Sequence, residues 1–82
     1  MKAKVYIRLK EEILDPEGIT IQKALNSIGF RDIKSVKSGK VIDIDLNSDL
    51  NVKEAQRIVE KSCSQLLANP NTETYTIEII DE

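Results

Sequence analysis

Apolar and polar residues alternate at the start of the chain. Ala3, Val5, Ile7 and Leu9 are apolar, and a tyrosine or charged residues stand between them. A period of two is typical of a β-strand that buries one face against a core. The pattern therefore predicts a first strand over residues 3–9.

The spacing of apolar residues changes after Asp15. An aspartate here can accept a backbone N–H as a helix N-cap, and Pro16 suits the first helical position. Glu17 places negative charge at the positive end of the helix dipole, and Gly29 is expected to end the helix. The apolar positions at i, i+3, i+4 and i+7, which form one face of this helix, are Ile21, Ala24, Leu25 and Ile28.

Two strand-like stretches follow this helix. Residues 33–37 form the first, and the second alternates apolar Ile42, Ile44 and Leu46 with polar residues. Ser38 and Gly39 between them are typical of a turn. We interpret residues 33–46 as a hairpin that turns near Gly39, and one long strand bent at Gly39 is the alternative.

A second helix is indicated by a capping box and a long apolar stripe. Asn51 and Glu54 have the spacing of the box, and Pro70 after Asn69 must stop the helix. Charged and polar residues fill the opposite face. The stripe comprises Val52, Ala55, Ile58, Val59, Cys63, Leu66 and Leu67.

A last strand is predicted where Tyr75, Ile77 and Ile79 alternate with polar residues. The order βαββαβ indicates one α+β domain over residues 1–82, ferredoxin-like, with two helices on one face of an antiparallel sheet. We expect ion pairs on the open face between Arg8 or Lys10 and nearby acids, and its apolar content indicates an oligomer. The predicted open face comprises Tyr6, Arg8, Lys10, Val41, Asp43, Asp45, Thr76, Glu78 and Ile80.

Composition excludes several classes of function. A net charge of −2 and a pI of about 5.2 give no electrostatic basis for binding nucleic acid. With no histidine, imidazole can neither catalyse a reaction nor bind a metal. The single cysteine suits a reducing compartment, and the first residues lead directly into a strand pattern. We therefore expect a cytoplasmic protein without a signal peptide or membrane span.

The residues that could carry chemistry have simpler explanations. Cys63 lies on the apolar stripe with no base to activate it, so a buried structural thiol is expected. Asp43 and Asp45 share one face of a strand, where nearby Lys and Arg favour ion pairing over acid–base or metal chemistry. Gly39 and Lys40 lack the glycine-rich run of a phosphate loop. The sequence therefore predicts no catalytic, cofactor-binding or metal site.

Several segments of the chain stand out when taken together: the alternating first strand ending in Leu9-Lys10, then Ile13–Gly18, Ala24-Leu25, Gly29-Phe30, Val36–Lys40 and Leu67–Pro70. In combination they resemble the PurS family, the small subunit of phosphoribosylformylglycinamidine (FGAM) synthase. The resemblance covers essentially the whole chain in the right order. One departure follows Asn69-Pro70, where the family usually has apolar residues and Glu and this chain has Asn71-Thr72-Glu73.

The resemblance implies a role in de novo purine synthesis. It implies a non-catalytic subunit that binds a glutaminase and a synthetase and assists ammonia transfer between them. ATP, Mg and glutamine would be used by those partners, and this chain would bind no cofactor itself. We expect a homodimer or a dimer of dimers. The residues expected at a partner interface are Lys37, Gly39, Lys40, Asn69 and Pro70.

Two other functions are possible on such a fold. One is a stand-alone module that senses a small molecule, although such modules usually accompany an enzyme domain. The other is a small phosphatase, which needs an arginine and an asparagine around a phosphate loop, and we find no such loop.

Overall fold

The computed structural model describes residues 1–81, which form three strands and two helices. The elements in chain order are β1 (Lys2–Leu9), α1 (Pro16–Ser27), β2 (Gly39–Asp45), α2 (Val52–Ser62) and β3 (Glu73–Ile80). A short π-helical segment, Cys63–Leu67, continues α2. The predicted α+β class with an antiparallel sheet is confirmed.

β1 is the central strand of the sheet. It pairs antiparallel with β2 on one side and with β3 on the other, in the order β2-β1-β3. Val5, for example, lies opposite Ile42 on β2 and Ile77 on β3. Because paired residues point to the same side of a sheet, the odd positions of β1 and the even positions of β2 share one face. We call this side the core face.

The core is a thin layer between the core face and α2. Val5 and Ile7 of β1 and Val59 of α2 are at most 1% exposed, and Cys63 just after α2 is fully buried. Apolar residues on the two outer strands are half-buried around this centre. The first strand and the second helix therefore supply most of the fully buried surface.

Asp15 joins α1 to the start of β2. One oxygen of its carboxylate accepts the N–H of Gly18 at 3.0 Å, which is the predicted N-cap, and the other accepts the N–H of Ser38 at 2.8 Å. The N–H groups of Gly18 and then Ser38 hold the pKa of the Asp15 carboxyl below its usual value. We call this contact the Asp15 junction.

α1 also ends where the sequence predicts. The helix ends at Ser27, and Gly29 takes a φ of +113° just beyond it. Only glycine adopts this left-handed conformation without strain, so the predicted role of Gly29 as the helix terminator is confirmed.

The hairpin predicted over residues 33–46 is wrong, and so is the alternative of one bent strand. β2 begins only at Gly39, and residues 33–38 form no strand within residues 1–81. The Gln22 amide donates to the carbonyl of Lys34 at 2.7 Å, and the Asn26 amide donates to the carbonyl of Ile33 at 3.1 Å. This segment therefore runs back along α1 and leaves the outer edge of β2 uncovered.

α1 differs from α2 in how it is packed. Among residues 1–81 it makes no extensive contact with the sheet, and Gly18 is its one buried residue. Ile21 is 38% exposed and Ile28 is 70% exposed, so the predicted apolar face does not reach the core of its own chain. The molecule is elongated as a result, with extents of 51 × 29 × 14 Å.

The stripe of α2 reaches the core through fewer residues than its spacing predicts. Ala55, Val59 and Cys63 are buried, whereas Ile58 is 39% exposed and Leu66 is 83% exposed. Beyond α2 the N–H of Ala68 donates to the carbonyl of Cys63 at 3.1 Å, the i to i+5 bond of a π-helix. This wider turn brings Leu67 rather than Leu66 against the core.

The exposures of Ile58 and Val59 predict an unusual order of destabilisation. Val59→Ala should lower the free energy of unfolding by about 2 kcal/mol, because it leaves a cavity in a closed core. Ile58→Ala removes more atoms but should cost only about 1 kcal/mol, since much of the side chain already meets water. Urea unfolding at one protein concentration measures both, and a larger loss for Ile58→Ala would contradict this packing.

The Asp15 junction predicts a pH-dependent contribution to stability. The carboxyl pKa is lower in the folded chain than the unfolded value of about 3.9, so the stabilisation is complete above that pH and is lost as pH falls through the folded pKa. Asp15→Asn can still cap α1 but turns an amide group toward the N–H of Ser38. The variant should be less stable than wild type at pH 7, and this difference in stability should be smaller at pH 3.

Thermal melts from pH 7 to pH 3 test this, with Asp32→Asn as the control. Asp32 is an exposed carboxylate just beyond α1. A gap between wild type and Asp15→Asn that stays constant with pH would show that the charge of Asp15 does not stabilise the junction.

Candidate functional site

Three of the five predicted interface residues lie where β1 ends and β2 begins. Gly39 is opposite Arg8 and Lys40 is opposite Ile7 in the antiparallel register. Lys37 precedes them, and all three predicted residues are exposed. We call this end of the sheet, where β1 ends and β2 and β3 begin, the exit edge.

The other two predicted residues reach the exit edge from the opposite side. Asn69 and Pro70 are exposed and precede β3, whose first residue, Glu73, pairs with Leu9. The Glu73 carboxylate accepts the N–H of Asn69 at 2.7 Å, and the carbonyl of Asn69 accepts the N–H of Glu73 at 2.8 Å. The departure from the family pattern at Asn71-Thr72-Glu73 thus forms a closed turn.

Two glycines at this edge are explained by the packing of the chain itself. A Cβ on Gly39 would lie 2.5 Å from the carbonyl oxygen of Ile7, and one on Gly18 would collide with the carbonyl oxygen of Val36. Both positions therefore exclude any side chain without a shift of backbone. Gly39 positions the neighbouring lysines and offers a partner no side chain of its own.

The charged side chains of the exit edge carry both signs. The Lys37 ammonium lies 3.7 Å from the Glu11 carboxylate, and both groups are well exposed. Lys40 lines an open depression of about 300 Å³ together with Glu17 and Glu73. These acids come from α1 and β3, which are distant in sequence, so sequence reasoning did not place them near Lys40.

The predicted open face of the sheet carries polar contacts between strands. Lys4 and Asp43 form an ion pair at 2.9 Å, and the hydrogen bond and charge of Asp43 raise the pKa of Lys4. The Tyr6 hydroxyl donates to the Glu78 carboxylate at 3.1 Å. The expected cation partners, Arg8 and Lys10, are wrong because the antiparallel register places Lys4 opposite Asp43.

The remaining candidate groups are structural. Cys63 is fully buried, and this burial raises the pKa of its thiol, so the reactive thiolate is disfavoured as predicted. Residues 1–81 contain no group of three or more side chains placed to ligate a metal ion. Neither helix in this part of the chain has the length and apolarity to cross a membrane.

Comparisons with known proteins agree with these features. The family model described as PurS, phosphoribosylformylglycinamidine (FGAM) synthase, matches residues 2–81. The PurS subunit of Methanocaldococcus jannaschii is 45% identical over 78 residues, which cover 95% of this chain and 93% of that protein.

Two solved structures have the same fold. The crystal structure of Methanocaldococcus jannaschii PurS superimposes with a TM-score of 0.85 and covers 94% of this chain and 92% of that one. A chain in the structure of PurLQS from Thermotoga maritima is 29% identical and superimposes with a TM-score of 0.87, covering 96% and 95% of the two chains. The match runs from the first strand to the last, and the chain belongs to the PurS family of FGAM synthase subunits.

Proposed function

We propose that this chain is a non-catalytic assembly subunit of FGAM synthase that holds the glutaminase and synthetase subunits together. The observation that carries the proposal is its likeness, over 96% of its length, to a chain of the PurLQS structure. In this role the subunit assists the ATP- and glutamine-dependent conversion of formylglycinamide ribonucleotide to formylglycinamidine ribonucleotide. Its contribution is to bind and orient the partners.

The exit edge is the surface through which we propose this binding. Lys40 is exposed there beside Glu17 and Glu73, and Asn69 and Pro70 lie in the hydrogen-bonded turn before β3. Charges of both signs on a fixed frame favour one orientation of a partner more than they add to affinity. Such a surface suits a subunit that must align two active sites.

Alignment of the partners has a chemical purpose. Ammonia released into water becomes protonated and diffuses away, whereas a docked assembly that excludes water delivers it as a nucleophile. We propose that the chain supports this transfer by closing the gap between its partners. ATP, Mg and glutamine are then bound by those partners, and the complex works in the cytoplasm.

A stand-alone sensing module is the less favoured function. The family model matches residues 2–81, nearly all of the described chain. The depressions on the surface are open, and the one beside Lys40 is about 300 Å³. Small-molecule sites are usually enclosed and bury most of the ligand.

Lys40→Glu should impair assembly while the chain still folds. The exposed lysine lies outside the core, so its replacement should change stability by no more than about 0.5 kcal/mol. A third carboxylate beside Glu17 and Glu73 should repel a partner that matches the present charges. Glutamine-dependent synthesis should fall, and synthesis with high added ammonium should fall much less, in assays of one reconstituted complex.

Lys53→Glu is the matched control for this experiment. Lys53 is exposed in the first turn of α2, which begins beyond the far end of β2. The Lys53→Glu substitution therefore makes the same change of charge at a position away from the exit edge. Normal complex formation and a normal glutamine-dependent rate with Lys40→Glu would show that Lys40 is merely a solvated surface residue.

The isolated chain should hydrolyse neither ATP nor glutamine. Its one thiol is buried in the core, and its sequence has no histidine to serve as a base. Release of phosphate and of glutamate can be measured on protein purified without its partners. Either activity, if it followed the chain through successive columns, would overturn the non-catalytic role.

A further inference from the structure

Arg8 is a charged residue of the open face that is held in place without being neutralised. It is exposed near the end of β1, between Gly39 of β2 and Thr74 of β3 in the sheet register. A Cβ on Gly39 would lie 3.2 Å from the Cγ of Arg8, so the stem of the arginine lies against this glycine. Within residues 1–81, Arg8 takes part in neither of the two ion pairs. Its guanidinium group is therefore available to a ligand from outside the chain.

Two open depressions meet at Arg8. One, of about 250 Å³, lies around the start of β2 and places Lys37 and Lys40 beside Arg8. The other, of about 440 Å³, extends toward β3 and adds two threonine hydroxyl groups. Among the described residues, no carboxylate lines either depression. We call the joined surface the cationic trough, and its polar side chains are Tyr6, Arg8, Lys37, Lys40, Thr74 and Thr76.

The cationic trough is the positive end of a face whose other end is negative. Lys37 lies 3.7 Å from the carboxylate of Glu11, whose side chain is 93% exposed, so this ion pair is weak. Farther along the open face stand three carboxylates, those of Asp43, Asp45 and Glu78. A chain with a net charge of −2 thus gathers three cations at one end of its sheet.

We propose that the cationic trough binds an acidic, extended segment of a partner subunit, an inference that rests on the proposed function. Charge complementarity carries it, because Arg8 can hold a carboxylate with two parallel N–H bonds while the lysines attract a second one. Neighbouring strands lie about 4.8 Å apart, so the trough is about 10 Å wide from Gly39 to Thr74. About three extended residues span this width, and carboxylates at alternate positions of the segment face the trough together.

A protein segment suits the trough better than a free anion or a nucleic acid. Both depressions are open, so a small anion would keep much of its hydration and bind weakly. The carboxylates of Asp43, Asp45 and Glu78 on the same face would repel the continuous phosphate backbone of a nucleic acid. A segment held by the rest of its own subunit meets neither obstacle, because its carboxylates are positioned before it binds.

Assembly of the reconstituted complex tests the trough directly. Arg8→Glu should lower the rate of association with the partner subunits at least about tenfold at low salt, since a carboxylate then faces a carboxylate. Added salt should slow the wild-type association, because it screens the attraction, and should not slow that of Arg8→Glu. Lys61→Glu, at an exposed position of α2 on the opposite side of the sheet, is the matched control and should keep the wild-type rate. Should Arg8→Glu fail to fold by circular dichroism, Lys37→Glu outside the sheet replaces it.

The outcomes separate the trough from the wider assembly role. A wild-type chain that does not assemble with the partner subunits overturns both. Normal assembly of wild type together with a normal rate for Arg8→Glu overturns the trough and leaves the assembly role intact. An equal loss of rate with Lys61→Glu would also overturn the trough, because the effect would then follow net charge and not the site.

A peptide experiment on the isolated chain identifies the class of ligand. A hexapeptide of alternating Glu and Thr should shift the NMR amide signals of Arg8 and Thr74, and the same peptide with Gln in place of Glu should need at least about tenfold more to do so. Equal shifts with the Gln peptide, or with inorganic phosphate at the same concentration, would overturn the acidic segment. Shifts of these signals on dilution of the chain alone would identify a second copy as the occupant and overturn it as well.

Discussion

The Asp15 junction is the contact on which the rest of the structure depends. A single carboxylate caps α1 and accepts the N–H of Ser38, so it ties the start of α1 to the start of β2. Gly18 allows this approach, since any side chain there would collide with the carbonyl of Val36. The same contact sets where β2 begins, and so places Lys37 and Lys40 at the exit edge.

The small size of the hydrophobic core is a second constraint on the structure. Fully buried side chains come mainly from β1 and α2, and the flanking strands remain half-buried. A chain of 82 residues buries a smaller share of its surface than larger domains do. A first helix that makes no extensive contact with the sheet makes the shortfall greater.

Local signals in the sequence predicted local structure well. The cap at Asp15, the capping box of Asn51 and Glu54 and the terminator Gly29 are all present in the structure. Each depends on a few neighbouring residues whose hydrogen bonds do not require the rest of the fold. The alternation along β1 was equally reliable because a central strand is fixed by neighbours on both sides.

The failures share one physical cause, which is that periodicity shows an apolar face without showing what covers it. Ile21 and Ile28 have helical spacing, but their cover does not come from the sheet of their own chain. Residues 33–37 have the composition of a strand and lack a strand partner within residues 1–81. Leu66 left the stripe because a π-helical turn rotates it outward, and the spacing of residues carries no sign of that turn.

The positions of the predicted interface residues follow from the pairing register of the strands and not from any local sequence motif. Lys40 and Asn69 are far apart in sequence and reach one edge because β2 and β3 both begin where β1 ends. α1 leaves from this same edge through Asp15, and its apolar face is separate from the charged groups on the sheet. The apolar face of α1 and the charged exit edge are therefore two separate surfaces of one chain.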